Sequence, residues 1–367
     1  MGNYFIGLIS GTSVDGIDAV LVDLDTRSLS VIATHAEEYP PELAARLRRA
    51  MLDPASCGVD ELGELHVWVG RCFRDAALKL LENSGLAANT IRAIGSHGQT
   101  LRHCPDHKYR FSLQIGDGAT IATGTGIDTV ADFRSSDIAL GGEGAPLVPL
   151  FHDWLLRDAD ENRVVLNIGG IANITVLPAS GAELSGFDTG PGNTLLDAWI
   201  RAGRELPYDD KGAWAASGEP DTGLIEEWLQ DEWFARPPPK STGVEYFNLD
   251  WLASRDTRAR RPADVQASLA ELTAQSVAHA IERWAPGTTS MYVCGGGVRN
   301  KDLLRRIAGH LPTLRVRTTA DAGIDPDWVE AAAFAWLASR RLARQNGSVP
   351  SVTGAQRPAV LGAVYAR

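Results

Sequence analysis

The 367-residue chain is poor in cysteine, in methionine and in basic charge, and it holds no long apolar run. Its four cysteines, Cys57, Cys72, Cys104 and Cys294, are widely spaced and form no CxxC pair, which argues against a disulfide scaffold and against a zinc site. Cys294 closes the apolar stretch MYVC and reads as a buried small hydrophobe rather than a nucleophile. His97 and His103 stand six residues apart around a glycine, which is not metal-ligand spacing. With 35 Lys and Arg against 46 Asp and Glu, the net charge is −11, so no broad basic face is expected for nucleic acid or an anionic membrane. An anionic ligand must then be held by local donors. Nothing approaches 18 consecutive apolar residues, and the opening MGNYFIGLISGTSVDGID lacks the basic start and apolar stretch of a signal peptide. The expectation is a cytoplasmic globular protein, long enough for two domains.

What is present is alternation of strand and helix. YFIGLI, IDAVLVDLD and LSVIATH read as strands, with the small-residue loop SGTSVDG between the first two. Helices are expected at PELAARLRRAML and over ELGELHVWVGRCFRDAALKLLENSG, the latter stopping near Gly85. IRAIGSHG reads as a strand ending in a turn, and YRFSLQIGDG as another. Around residue 165 the opening theme returns: RVVLNIGGIANITVL is again strand, glycine turn, strand, about 160 residues after the first hairpin. The repeat points to two related α/β halves, or to two unrelated hairpins. Further helices are expected from about Asn193, over 263–284, from near Asn300 and over 327–344. A Pro-rich linker is read at Arg236-Pro237-Pro238-Pro239, and a polar surface extension after Gly347.

Several of these loops have the residue types that chemistry needs. In SGTSVDGID, glycines allow close approach, and Thr12 and Ser13 add hydroxyls beside exposed N–H groups, which suits phosphate; an ordinary hairpin turn has the same composition. The Walker pattern is absent, and Asp15 and Asp18 would repel phosphate unless a cation such as Mg²⁺ intervened. IGGIAN (168–173) and CGGGVRN (294–300) repeat the motif of glycines ending an apolar strand. In GFDTGPGN, Asp188 is placed on a rigid loop at a strand end, as a base or as a helix cap, with Asn193 better spaced to cap. Arg134 either meets a ligand carboxylate or pairs with Asp132 or Asp137 on the surface. Glu330, amid Ala and Trp, is either a partly buried functional group or a first-turn acid favoured by the helix dipole.

The ordered motifs SGTSVDGID, GSHGQTLRH, ADFRSSDIALGGEGAPLVP, LNIGGIANIT, GFDTGPGN, KSTGVEYFN, VCGGGVRN and EAAAFAWLA resemble the anhydro-N-acetylmuramic acid kinase family of peptidoglycan recycling, from about residue 7 to the C-terminus. The resemblance implies the fold of acetate and sugar kinases, Hsp70 and actin: two RNase H-like α/β domains around a nucleotide cleft, expected at 1–145 and 146–367, with the C-terminal tail able to pack back on the first. It implies ATP and Mg²⁺, a small amino-sugar substrate, no nucleic-acid or membrane partner, and a homodimer. By this resemblance Asp188 is the base that activates water. The first phosphate loop maps onto Gly11, Thr12, Ser13, Val14, Asp15, Gly16, Ile17 and Asp18, with Asp15 or Asp18 near the metal. The second maps onto Gly169, Gly170 and Asn173, and Gly295, Gly296 and Gly297 lie near adenosine. His97, Gln99, Thr100, Arg134 and Glu330 surround the sugar, Arg134 meeting its lactyl carboxylate. Asp117 in IGDG is a departure, since a second carboxylate there would repel an acidic substrate. Competing readings are another sugar kinase of this fold, a glycosidase using Asp188 and Glu330, and a non-catalytic nucleotide switch.

Overall fold

The computed structural model describes residues 2–255, 257 and 260–367. They divide into two compact units, residues 1–155 with 328–367, and residues 156–327. In the first, β1 (Tyr4–Ser10), β2 (Gly16–Leu24) and β3 (Leu29–Glu38) form an antiparallel meander. The strand β4 (Ile91–Cys104) lies parallel to β1 on its other side, and β6 (Thr129–Ala131) lies parallel to β4. Between them in sequence, β5 (Phe111–Ile115) folds back antiparallel on the far end of β4. GSHG therefore does not end a strand as expected. The chain turns at Gly98, whose φ is +75°, and β4 continues to Cys104.

The second unit repeats the arrangement strand for strand. Its β7 (Arg163–Ile168), β8 (Ile171–Leu177) and β9 (Ser185–Pro191) are an antiparallel meander, and β10 (Ser290–Cys294) and β11 (Arg315–Thr318) lie parallel to β7. The orders β3-β2-β1-β4-β6 and β9-β8-β7-β10-β11 coincide in sequence rank and in direction. The repeat read from two hairpins is a repeat of five strands. Each sheet is covered by a long helix set between its meander and its parallel strands. Helix Val59–Ser84 buries Leu65, Val69, Phe73, Ala76 and Leu80 at three- and four-residue spacing and stops at Gly85 in the left-handed region. Helix Pro262–Trp284 does the same in the second unit, burying Leu269, Thr273, Val277 and Ile281. No helix among the described residues is long and apolar enough to cross a membrane.

The units differ from the expected ranges because the chain returns. Helix Val329–Leu342 packs on β1 and β4 of the first sheet. Gly7 and Gly95 are register partners on those strands. A Cβ on Gly7 would come within 1.8 Å of the Ala331 carbonyl oxygen, and one on Gly95 within 2.0 Å of that of Phe334. Two facing glycines and an alanine-rich helix let backbone meet backbone, which no larger pair allows. The tail is likewise no surface extension: Val352, Thr353 and Leu361 are buried, and β12 (Ala363–Tyr365) adds an antiparallel edge to β6. The Pro-rich stretch at 236–239 lies inside the second unit and separates no domains.

Candidate active site

The turn between β1 and β2 is held from the protein side. Gln99 Nε2 donates to the Gly11 carbonyl at 3.1 Å, and Arg48 Nη2 to that of Val14 at 2.8 Å. Ser10 Oγ stands 2.6 Å from the Gly16 carbonyl and 2.7 Å from Gln99 Oε1, its single proton serving one or the other. Carbonyl oxygens repel anions, and here three of them are already engaged. Gln99 is fully buried in this role, so it braces the turn where a sugar contact was expected. Val14 and Ile17 are also buried, in the hydrophobic core, and only their main chain is available to a ligand. Val14 has φ +55°, a strained conformation for a β-branched residue and a mark of a built loop. Gly11, Thr12, Ser13, Asp15 and Asp18 are exposed, and Asp15 accepts from Ser13 Oγ at 2.8 Å.

Further along β4, buried His97 pairs with half-buried Arg134. Arg134 Nη2 lies 2.8 Å from His97 Nε2, and His97 Nδ1 lies 3.0 Å from the Gly98 carbonyl. A guanidinium has donors alone, so Nε2 must accept and the ring proton sits on Nδ1, donating to Gly98. Burial, with Arg134 beside it, holds His97 down to about pKa 3, in keeping with this neutral tautomer. Arg134 Nη1 donates to the Gly144 carbonyl at 2.7 Å, while its Nε is buried with no hydrogen-bond partner among the described residues. Burial lowers the Arg134 pKa to about 10, and the charge of Glu330 opposes the shift. The expected surface pairs do not form: Asp132 accepts from Ser135, and buried Asp137 accepts from Gly144 N and Thr353 Oγ1. Phe334 lies 4.6 Å from His97 between ring centroids and 5.3 Å from Phe133. Glu330, exposed in the first helical turn, is one turn from Phe334 on the same helix face. Helix Val329–Leu342 thus carries Glu330 to His97 and Arg134. Thr100 is half-buried and accepts from Gln114 Nε2 at 3.1 Å. Asp117 caps helix Gly118–Thr125, accepting from Ala119 N and Thr120 N, so that carboxylate is committed to the fold.

In the second unit the polar residues come in a row. Cys294, Asn167, Asn173 and Asp188 are successive register partners across β10, β7, β8 and β9. Asp188 is not on a loop, as expected, but within the edge strand β9, where a bulge leaves Thr189 unpaired. Bulges re-aim side chains, and an edge strand tolerates the closing Pro191. The segment Lys240–Thr242 brackets Asp188: Asp188 N donates to the Lys240 carbonyl at 3.0 Å, and Thr242 N donates to Asp188 Oδ2 at 2.8 Å. Asn193 begins helix Thr194–Arg204, but its amide does not cap; it donates to the Gly169 carbonyl at 3.1 Å. Gly169 O also accepts from Asn193 N, and Gly170 O from Gly192 N and Thr194 N. The second glycine turn therefore has its carbonyls engaged too.

Residues 3–367 match the family described as anhydro-N-acetylmuramic acid kinase. Kinases of that name from Coxiella burnetii (strain RSA 493 / Nine Mile phase I) and Xanthomonas campestris pv. campestris (strain 8004) are 52% identical over 363 residues and 51% identical over 365. Each alignment covers 98% of this chain and 97% of the relative. The chain belongs to the anhydro-N-acetylmuramic acid kinase family.

Within this family member the glycines sort into two kinds. A Cβ on Gly295 or Gly297 would strike Asn167 Oδ1 or the Ile168 side chain at 2.2 or 2.3 Å, and one on Gly16 would lie 2.5 Å from the Glu37 carbonyl oxygen. The fold itself demands those three. At Gly11, Gly169 and Gly170 a Cβ would meet ordinary contacts, at 3.5 Å or more, and at Gly296 nothing. At these four the fold itself leaves room for a side chain. No group of three or more His, Cys, Asp or Glu able to hold a metal occurs among the described residues. Asp15 and Asp18 are two exposed oxygen donors on and beside one turn, a set that fits Mg²⁺ shared with phosphate and water rather than an all-protein cage. Sequence reasoning gave no role to Lys240 and Thr242; their signal was the KSTG stretch following three prolines.

Proposed function

We propose that this chain opens the 1,6-anhydro bridge of 1,6-anhydro-N-acetylmuramic acid with water and transfers the γ-phosphoryl group of ATP to O6, giving N-acetylmuramic acid 6-phosphate and ADP. The observation that carries the reading is the full-length family match together with a carboxylate, Asp188, held by the main chain of 240–242 beside a polar row. Asp188 takes a proton from the water that attacks C1. The C1–O6 bond breaks as the new C1–O bond forms, and O6 attacks phosphorus as ADP leaves. A general base of this kind contributes about 10²–10⁴-fold.

Arg134 is assigned the lactyl carboxylate, and the buried, unpartnered Nε supports this, because a guanidinium nitrogen out of water lacks its acceptor. Neutral His97, accepting from Arg134 and donating to Gly98, fixes the guanidinium and carries no charge of its own. Thr100 and Glu330 are assigned to sugar hydroxyls. The phosphates are assigned to Gly11–Asp18 and to Gly169, Gly170 and Asn173, the adenosine to Gly295–Gly297. Asp15 and Asp18 would hold Mg²⁺, which neutralises phosphate charge. A cytoplasmic location and a homodimer complete the reading, the latter open to light scattering.

The test is ADP release from Mg·ATP with and without the anhydro-sugar in ¹⁸O-labelled water. ADP that depends on sugar, with ¹⁸O at C1 of a 6-phosphorylated product, is expected. Sugar hydrolysis without ATP would replace this reading with a glycosidase, and ATP turnover indifferent to sugar would leave a nucleotide switch.

A further inference from the structure

Behind the edge strand of the second sheet lies a cavity of about 580 Å³, within the usual range for small-molecule sites. Thr189, the unpaired residue of the β9 bulge, lines it, as do Ser276, His279 and Arg283 along helix Pro262–Trp284. Phe234, Lys240 and Trp284 line it as well. It differs from the proposed substrate groups in residues and in composition.

Its charge is the unusual feature. In a chain of net charge −11, this wall gathers cations. Lys240 Nζ stands 4.2 Å from the Trp233 ring centroid and donates to the main-chain carbonyls of Trp233 and Phe234 at 3.4 and 3.2 Å. Burial, with Arg283 and Arg236 near enough to act on it electrostatically, lowers the Lys240 pKa to about 8, while Asp188 opposes the shift. Glu282 is the one carboxylate lining the cavity. Among the described residues no carboxylate forms an ion pair with Lys240, Arg236 or Arg283. Lys240 is half-buried while Arg236 and Arg283 are exposed, and an anion at the cavity would relieve the repulsion among the three. The remaining walls, Phe234, Trp284, Leu229 and Ala280, are apolar.

We infer that this cavity binds a small anion bearing an aromatic or similarly flat apolar group, with Lys240 and Arg283 on the anionic end, and that its occupancy alters turnover through Lys240. The link is the main chain: Lys240 contacts the ligand with its side chain and Asp188 with its carbonyl, two residues before Thr242 N reaches the same carboxylate. The inference goes beyond the kinase reading, and its first arm does not depend on it.

Phenyl phosphate is titrated calorimetrically into the full chain with ADP at saturation, so that the nucleotide's own site is filled. Inorganic phosphate and benzyl alcohol serve as half-probes. Phenyl phosphate is expected to bind more tightly than either half-probe, and Arg283→Gln, a change at an exposed side chain, is expected to weaken it at least tenfold. Equal binding to both proteins, or none to the wild type, overturns the site. In the second arm, saturating phenyl phosphate is expected to change kcat at least twofold in the wild type and not in Arg283→Gln. Binding that depends on Arg283 while kcat stays constant overturns the link to Asp188.

Discussion

The two units share one strand order but hold their functional groups in different ways. In the first, His97, Arg134 and Glu330 are placed by side chains and by a helix that arrives from the end of the chain, seated on Gly7 and Gly95. In the second, Asp188 is placed by strand register, a bulge and two main-chain hydrogen bonds. The glycine turns repeat the contrast: Gln99, Ser10 and Arg48 side chains engage the carbonyls of one, main-chain N–H groups of 192–194 those of the other. A side-chain network can be dismantled one substitution at a time. A main-chain bracket mostly cannot, so the second unit is the more robust frame for its carboxylate.

The largest expected effect sharpens this contrast. Asp188→Asn keeps shape and the hydrogen bond from Thr242 N while removing the base, so kcat should fall about 10²–10⁴-fold. ATP and sugar affinities, measured by calorimetry, should stay within about threefold. Retained turnover would remove Asp188 from the mechanism. Next comes an attempt to break the first unit at its seat. Gly95→Ala forces a Cβ to 2.0 Å from a helix carbonyl, which neither backbone can easily yield, at a cost of about 3 kcal/mol. The first unit should melt roughly 6–12 °C lower in calorimetry, and sugar binding should weaken as Phe334 shifts from His97. An unchanged melting curve would show that the helix is not seated there.

Arg134→Gln tests the ligand end of the same network. A charge-assisted hydrogen bond is worth about 1.5–3 kcal/mol, so the sugar KM should rise about ten- to hundredfold. Since Arg134 is not assigned to the proton transfer, kcat should change far less, and an equal loss in both would count against a binding role.

Acid should separate the units. Burial depresses His97 and His152 of the first unit to about 3, below the ordinary value near 6.5. A depressed histidine is neutral when folded and takes a proton on unfolding, so its contribution is intact above pH 6.5 and erodes as pH falls, by about 1.4 kcal/mol per unit. In the second unit burial raises Asp197 to about 6, and that sign is opposite: the folded state gains as pH falls from 6 towards 4. Hydrogen exchange between pH 6.5 and 4.5, corrected for intrinsic rate, should show the first unit opening first. His97→Gln should reduce its loss.

Much of this was legible in the sequence, where a local rule applied. Both hairpins, the glycine turns, the helix ending at Gly85 and the helix over 262–284 follow from periodicity and punctuation. What escaped depends on partners distant in sequence. DTGP reads as loop because glycine and proline weaken strands, yet it completes β9, which is an edge. Gln99, which the resemblance sets beside the sugar, has its amide engaged by Gly11 and Ser10, almost ninety residues away. EAAAFAWLA left Glu330 open between a functional group and a first-turn acid, and the helix face beside it is a packing surface set by Gly7 and Gly95, more than two hundred residues earlier.

The smallest effect tests whether the second unit's glycines really divide in two. At Gly170 a Cβ would lie 3.7 Å from Val244 and 4.0 Å from Thr194, ordinary contact, and the residue is exposed. Gly170→Ala should therefore leave the melting temperature within about 1 °C. If the space beyond belongs to phosphate, the added methyl should weaken ATP about fivefold, roughly 1 kcal/mol. Gly297→Ala is the reverse case, because its Cβ would sit 2.3 Å from Ile168 Cγ2 inside the fold. That change should lower the melting temperature by several degrees at about 1–3 kcal/mol. The two variants differ from wild type by one methyl each, in one unit, so only the location of the methyl can account for opposite readouts. If Gly170→Ala binds ATP like the wild type, the β7–β8 turn needs glycine for neither fold nor ligand, and its assignment to phosphate falls.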